Sequence, residues 1–296
     1  MRRSVALTAW LFLFPALGAI GLFFVLPVCA SLVLSFTDFD IYALAHWRNL
    51  RWVGLAQYRI LLAEPLFWLA LRNTLVFVVF GGGLTILVAL GAAVAVTSGS
   101  ARLQAVFRTV FFLPVVTTVV AAAVVWRAWY HPRVGLVNAF LGWLGLPRVD
   151  WLGDPNWALP AIVIFSVWKN FGFHMVIFIA ALQAIPERLY EAAAMDGASR
   201  WQQFWRITLP MLQPALGFVT LITVIGSFQL FAEPYVMTQG GPANATLSLV
   251  LLMYRNGFQW WNVGHGAAVA WVLFLILVLV ALVLTRIRAH RGWEFG

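Results

Sequence analysis

The chain has 296 residues, of which 63% are hydrophobic and 10% are charged, and its formal net charge is +9. Soluble domains average about 45–50% apolar and about 25% charged residues, so this composition excludes an ordinary water-soluble domain. Apolar runs long enough to cross a bilayer as helices recur along the chain, whereas a membrane β-barrel would show short alternating segments. We therefore expect an all-α integral membrane protein.

Positive charge is concentrated in arginines at the ends of the apolar runs, where residues that set membrane topology are found. This distribution predicts contact with membrane lipid and no nucleic-acid partner. Placing both termini in the cytoplasm puts more of the arginines inside than outside, so we predict a multi-pass chain with cytoplasmic termini. A single cysteine, Cys29, excludes an internal disulfide.

Six membrane spans are predicted from hydropathy, and Pro15 and Pro27 are expected to tilt or kink the first. The predicted spans cover residues 8–36, 68–97, 107–130, 157–182, 212–236 and 263–285. We predict two parts of the chain, a membrane anchor helix with an outer loop over residues 1–65 and a transmembrane domain of helices 2–6 over residues 66–290.

The residue patterns of common catalytic sites are missing from the sequence. The single lysine, Lys169, is followed by Asn170, so no GxxxxGK[ST] phosphate-binding loop is present. The histidines lack paired metal-ligand spacing, and no serine lies in a GxSxG motif. We expect no enzyme, no metal and no cofactor bound by this chain.

Charged residues gather between spans four and five, over residues 187–210. ERLYEAAAMD contains strong helix formers and follows Pro186, which suits a first helical turn. Gly197 is placed to end that helix, and Ser199 with Gln202 forms a capping box for a second helix, WQQFWRIT. The segment is predicted to be a helix, a tight bend and a second helix. From the residues alone, a helix lying on the membrane surface and a helix docked on a partner are equal alternatives.

Spans four and five also carry polar side chains at helical spacing, which are costly inside a bilayer. These are Ser166, Lys169, Asn170 and His174 in span four, and Thr220, Thr223 and Ser227 in span five, with Gln229 and Glu233 further along. Two facing stripes predict a hydrated cavity. For Thr220 and His174 we favour hydrogen bonds between packed helices, and Glu233 is expected to be either a solvated edge or the counter-ion of Lys169.

The stretch EAAAMDGASRWQQFWRITLP, which begins at Glu191, resembles the EAA motif of permease subunits in ABC importers. FLPVVTTVVAAAVVWRAWY, GLVNAFLGWLGLP and MTQGGPANAT resemble the carbohydrate-uptake permeases of the maltose and glycerol-phosphate type. The resemblance implies that residues 66–290 form the permease domain and that a coupling helix between helices 4 and 5 contacts an ATPase. The contact residues it implies are Glu191, Ala192, Ala193, Asp196 and Gly197, with Arg200 and Arg206 as weaker candidates.

The same resemblance implies a set of residues along the substrate path. They are Ser166, Lys169, Asn170, Phe173, Thr223, Gly226, Ser227 and Leu230. Phe173 would stack on a sugar ring, and Asn170 and Ser227 would bond hydroxyl groups. Lys169 would bond sugar oxygens or favour an anionic substrate such as a sugar phosphate.

The implied function is a permease subunit in the cytoplasmic membrane of a bacterium or archaeon. Its implied partners are a second permease subunit, expected to be a different chain in a heterodimer, two ATPase subunits that bind the ATP, and an extracytoplasmic solute-binding protein. The substrate is expected to be a sugar or oligosaccharide, and the alternative is the same machine importing a sugar phosphate or glycerol phosphate. A secondary transporter is less well supported because inverted repeats and mid-membrane ion-coupling carboxylates are not evident, and a membrane enzyme has the least support.

Overall fold

The structure is a computed structural model that describes residues 2–45, 50–99 and 101–290 and is mainly α-helical. Within those residues the one sheet-like feature is an isolated antiparallel bridge between Thr37 and Trp52. The predicted all-α class is confirmed. In chain order the α-helices are α1 (Arg2–Ile20), α2 (Leu26–Leu34), α3 (Ile41–Ala45), α4 (Ala56–Ala63), α5 (Pro65–Val76), α6 (Gly83–Thr97), α7 (Ala101–Val116), α8 (Val119–Trp129), α9 (Leu136–Trp143), α10 (Pro155–Gln183), α11 (Glu187–Met195), α12 (Arg200–Gln203), α13 (Leu209–Met211), α14 (Gln213–Phe228), α15 (Ala232–Met237), α16 (Leu249–Tyr254) and α17 (Val263–His290).

Five helical segments of the described residues are long and apolar enough to cross a membrane. They are Phe12–Leu34, Pro65–Thr97, Pro155–Gln183, Gln213–Met237 and Val263–Arg286. Each corresponds to one of the predicted spans, so the first, second, fourth, fifth and sixth predictions are confirmed.

The third predicted span, residues 107–130, needs correction because it is not one continuous helix. α7 and α8 meet at 98° across a short break, and they make a sixth span only if the bent pair is counted as one. Pro114 lies near the end of α7, and the Thr117 hydroxyl donates to its carbonyl over 2.7 Å. Thr118 is extended, with ψ of 138°. A proline and a hydroxyl that bonds locally both weaken the helical ladder at this point.

Two compact units are present, Met1–Phe67 with Leu252–Leu275 and Trp68–Leu251 with Ile276–Gly296. The predicted division of the chain at residue 65 stays a prediction. In the first unit, α1 continues into α2 through a π-helical turn, Gly21–Val25. Pro27 lies two residues after that turn and has no N–H to donate, which accounts for the widened backbone before it.

His265 joins distant segments of the first unit. Its Nδ1 lies 3.2 Å from Oε1 of Gln57, and its Nε2 lies 3.5 Å from a carboxylate oxygen of Glu64. The amide nitrogen of Gln57 donates to the carbonyl of Thr37 over 3.1 Å. The start of α17 is therefore tied to α4 through one buried imidazole ring.

The second unit has its core around α10, which is the most buried of the long apolar helices. α10 packs on α8 through Trp126, Phe165 and Trp168, and the Tyr130 hydroxyl donates to the Ala161 carbonyl over 3.0 Å. Further along the same face, α10 passes very close to α7, because a Cβ on Gly172 would lie 2.0 Å from the carbonyl oxygen of Phe111. Only glycine fits this crossing.

Buried polar side chains hold two loops of the second unit. Asn138, only 2% exposed, accepts from the backbone N–H of Val149 and the indole N–H of Trp151, and donates to the carbonyls of Pro132 and Val149. In residues 238–247, Asn244 has a positive φ of 61°, and its carbonyl accepts from the Asn73 side chain over 2.9 Å. Both loops are consequently fixed in shape.

Candidate functional site

A polar cavity of about 300 Å³ lies within the second unit. Its walls are the π-helical turn Phe77–Gly82, the middle of α10, the second half of α14 and the residues that follow α14. This volume is at the lower end of the range of about 300–1,000 Å³ found for small-molecule sites. A cavity between predicted spans four and five is therefore present in the fold, and its hydration stays a prediction.

Most of the predicted path residues line this cavity. Ser166, Asn170, Phe173, Thr223, Gly226, Ser227 and Leu230 are among its lining residues. Phe173 is 45% exposed, so a ring face is available for contact, whereas Leu230 is 4% exposed. The role of these residues in binding a substrate stays a prediction.

His174 connects the two predicted polar stripes. Its Nδ1 lies 3.1 Å from the Asn170 carbonyl, which can only accept, and its Nε2 lies 3.0 Å from Oγ1 of Thr223. In the neutral ring, Nδ1 donates to the carbonyl and Nε2 accepts from the Thr223 hydroxyl. The expected hydrogen bond between packed helices is thus found for His174, and both side chains also line the cavity.

Lys169 is the one predicted path residue that does not line the cavity. It is 7% exposed, and its Nζ donates to the Val115 carbonyl over 3.2 Å. Val115 lies in the last turn of α7, where carbonyls lack partners within their own helix. The predicted role of Glu233 as the counter-ion of Lys169 stays a prediction.

Several cavity residues were not among those predicted to contact substrate. These are Phe77, Gly81, Thr85, His174, Ile222, Gln229 and Glu233. Phe77, Gly81 and Thr85 are spaced four residues apart in span two, so a search for polar and small residues at helical spacing would have found that wall. His174, Gln229 and Glu233 belonged to the stripes seen in the sequence. Ile222 gives no sequence signal, because it resembles any lipid-facing residue.

The backbone beside the cavity is irregular. α14 ends at Phe228, the segment Gln229–Phe231 is not helical, and α15 begins at Ala232. Non-helical backbone at membrane depth is tolerated where it is covered by protein or lines a polar cavity. Helices interrupted near the midplane form the binding sites of many transporters. This geometry is suited to holding a small polar solute.

The segment between α10 and α14 forms the predicted helix, bend and second helix. α11 begins after Pro186, which occupies the N-cap position just outside the helix rather than its first turn. At the other end, Gly197 has a φ of 80°, and the N–H groups of Gly197 and Ala198 donate to the carbonyls of Ala194 and Ala193. This pair of bonds is a Schellman motif.

The second helix of this segment begins with the predicted capping box. The Ser199 hydroxyl accepts from the Gln202 N–H over 3.3 Å, and the Gln202 side chain accepts from the Ser199 N–H over 2.8 Å. The helix runs through α12, a π-helical turn at Phe204–Thr208, and α13. The Tyr190 hydroxyl lies 2.9 Å from Oγ1 of Thr208, so the two helices are joined. We call residues 187–211 the helical hairpin.

The first helix of the hairpin has no buried residue. Of the predicted contact residues, Glu191, Ala192, Asp196 and Gly197 are exposed and Ala193 is half-buried. Ala193, Asp196 and Gly197 also line a shallow cavity of about 340 Å³, with Arg206 on its opposite wall, whereas Arg200 is exposed outside it. A rigid, exposed helix with a small-residue face offers a surface that a partner can approach closely. The part of each residue in such a contact stays a prediction.

Comparison with known proteins gives concordant results. Residues 22–291 match the family model described as "Binding-protein-dependent transport system inner membrane component". The lactose transport system permease protein LacF of Rhizobium radiobacter is 36% identical over 287 residues, which are 95% of this chain and 94% of LacF.

Two solved structures have the same fold. A bacterial ABC transporter involved in the import of the acidic polysaccharide alginate has a chain with a TM-score of 0.80 and 26% identity, covering 98% of this chain and 96% of its own. A bacterial alginate ABC transporter in complex with an alginate pentasaccharide-bound periplasmic protein gives a TM-score of 0.81 at 24% identity, covering 100% of this chain and 98% of its own.

Proposed function

Because the chain belongs to the family of binding-protein-dependent transport system inner membrane components, we propose that it forms part of the transmembrane path for a carbohydrate in an ATP-driven ABC importer. As a member of that family, it is a multi-pass transport component of the membrane and not an enzyme. The observation that carries the proposal is the direct connection between the polar cavity and the helical hairpin. α10 ends at Gln183, just before the hairpin, and α14 begins at Gln213, just after it.

This connection gives a mechanism by which ATP hydrolysis moves the cavity walls. ATPase subunits that close on ATP would carry the hairpin with them as a rigid body, since its caps and the Tyr190–Thr208 contact resist bending. The hairpin would transmit this movement to α10 and α14 and change the side from which the cavity is open. Glu191, Ala192, Ala193, Asp196 and Gly197 are the proposed contact residues.

The chemistry of the cavity supports a carbohydrate as the solute. Phe173 offers a ring face, and Asn170 and Ser227 offer groups that bond hydroxyls. Polar groups that orient a ligand, placed beside apolar and aromatic side chains, are typical of small-molecule sites. The name of LacF and the titles of the two solved structures, which concern lactose and alginate, agree with this class.

The proposed partners are a second permease chain, forming a heterodimer, two ATPase subunits, and a solute-binding protein outside the membrane. Affinity purification of the chain from its native membrane in mild detergent, followed by mass spectrometry, tests this assembly. We expect a P-loop ATPase and a second chain with an EAA motif. Recovery of this chain alone, in a preparation that preserves other membrane complexes, would contradict the proposal.

Transport itself is tested by uptake of radiolabelled oligosaccharides into cells that express the complete importer. We expect uptake that requires ATP and is lost in Glu191→Lys, because the reversed charge lies in the proposed ATPase contact. Glu187→Gln, a change in the first turn of the same helix, is the control and should retain uptake. Full uptake and ATPase association in Glu191→Lys would contradict the coupling role.

The proposed orientation places both termini and the hairpin in the cytoplasm, inside the bacterial or archaeal inner membrane. The chain has one cysteine, so Cys29→Ala gives a cysteine-free background for single engineered cysteines. We expect a cysteine at Arg102 to react with a membrane-impermeant thiol reagent from the inside, and a cysteine at Thr238 from the outside. Equal labelling of both from the outside would contradict this orientation.

A further inference from the structure

We propose that the cavity selects uncharged carbohydrates over anionic ones, and that Glu233 is the residue responsible for this selection. The inference rests on the proposed function and narrows its substrate class. It starts from the charges on the cavity walls. Among the described residues that line the cavity, Glu233 is the one Asp, Glu, Lys or Arg side chain. No lining residue of that set carries a permanent positive charge.

The sequence suggested that Lys169 would favour an anionic substrate, but Lys169 does not line the cavity. Its ammonium group is buried against α7 and bonded to the Val115 carbonyl. His174 is held between the Asn170 carbonyl and the Thr223 hydroxyl, in an arrangement that the neutral ring satisfies completely. Neither side chain offers an anion a free positive group at the cavity surface.

The physical consequence follows from the cost of moving an anion out of water. A phosphate or carboxylate entering a site of low dielectric constant needs a positive partner or several hydrogen-bond donors to replace its hydration. The carboxyl group of Glu233 supplies no positive charge in either protonation state. When ionised it repels the anion, and when protonated it is only a neutral hydrogen-bonding group.

An uncharged sugar needs no positive partner in the cavity, because its hydroxyl groups can bond the polar side chains of the walls. A carboxylate accepts hydrogen bonds from two neighbouring hydroxyl groups, and such charge-assisted bonds are about twice as strong as neutral ones. Asn170 and Ser227 on the other walls can bond further hydroxyls, and the Phe173 ring can cover an apolar sugar face. The cavity is therefore complementary to a neutral polyhydroxylated solute.

The test measures equilibrium binding to the purified importer, this chain with its co-purified subunits, in nanodiscs without ATP. The probes are radiolabelled pairs that differ by one phosphate group: lactose and lactose 6-phosphate, maltose and maltose 6′-phosphate, and glucose and glucose 6-phosphate. Using the importer alone removes the selectivity of the solute-binding protein. For every pair in which binding is detected, we expect the uncharged member to bind the wild-type importer more tightly.

The side chain in Glu233→Gln has nearly the same shape but cannot ionise. We expect the ratio of the dissociation constants of the anionic and uncharged members to fall by about tenfold, or about 1.4 kcal/mol. Glu187→Gln is the matched control, since the same change lies on the exposed first helix of the hairpin, outside the cavity, and it should keep the wild-type preference. Tighter binding of the anionic member by the wild type, or an unchanged preference in Glu233→Gln, would overturn the inference. Absence of binding by every probe would instead contradict the proposed carbohydrate function.

Discussion

The ammonium nitrogen of Lys169 lies 3.2 Å from the carbonyl oxygen of Val115 and donates a hydrogen bond to it. Val115 is in the last turn of α7, immediately before the break that leads to α8. The carbonyls at a helix C-terminus lack partners within the helix and carry a partial negative charge. Lys169 therefore caps α7 from a neighbouring helix, 54 residues further along the chain.

Removing this cap should destabilise the protein. In Lys169→Met the Val115 carbonyl loses its donor, so we expect the free energy of unfolding to fall by about 1–3 kcal/mol. Thermal unfolding of the purified importer in detergent measures the effect as a lower Tm. Lys169→Arg is the control, because it keeps the charge and the donors, and it should lose less. A Met variant as stable as the wild type would contradict the capping role.

The crossing of α7 and α10 should not tolerate a methyl group at Gly172. The added Cβ would lie 2.0 Å from the Phe111 carbonyl oxygen and 2.8 Å from its carbonyl carbon, both of them backbone atoms. We expect Gly172→Ala to lower the free energy of unfolding by about 1–3 kcal/mol through overpacking. Gly83→Ala is the control, because the Cβ added there would have nothing within 4 Å. Equal Tm values for the two variants would refute a close crossing.

The contact between Tyr190 and Thr208 should matter for coupling. Tyr190→Phe removes the hydroxyl that lies 2.9 Å from Oγ1 of Thr208 and keeps the ring. Since one hydrogen bond contributes about 0.5–1.5 kcal/mol, we expect the solute transported per ATP hydrolysed to fall by about two- to tenfold while the subunits remain assembled. Proteoliposomes allow both rates to be measured. Tyr42→Phe, the same change at an exposed residue of α3, is the control. Wild-type coupling in Tyr190→Phe would mean that the hairpin does not act as a rigid body.

The Glu64 carboxylate should stabilise the first unit through His265. The amide nitrogen of Gln57 donates to Thr37, so its oxygen faces Nδ1 of His265, and the other ring nitrogen faces Glu64. Both ring nitrogens of His265 therefore face an acceptor, and a carboxylate is a stronger acceptor than the amide oxygen that Gln would put in its place. We expect Glu64→Gln to lower the free energy of unfolding by about 1–3 kcal/mol, measured as a lower Tm. Glu187→Gln, on the unburied first helix of the hairpin, should be close to neutral.

Features that depend on neighbours in sequence could be predicted from the sequence. The five spans that the structure confirms follow from local hydropathy, and the helical hairpin follows from Gly197 and the capping box of Ser199 and Gln202. Each of these signals acts over one helical turn or along one apolar run, and the physics that produces it involves only residues close along the chain. The prediction that Pro186 lies in the first helical turn was wrong by one residue, since Pro186 is the N-cap residue before that turn. A proline is compatible with helix entry at either position.

Features that depend on distant residues were decided by the tertiary structure alone. Hydropathy predicted the third span but not its break, because α7 and α8 are both apolar. The Val115 carbonyl beside the break is bonded by Lys169, which lies far along the chain. The sequence also placed Lys169 on the substrate path with Asn170, since helical spacing gives a face but not what lies opposite. Packing between helices decides whether a polar group meets water, a neighbouring backbone or a cavity. In this protein that packing buries the Lys169 ammonium group and leaves Glu233 on the cavity wall.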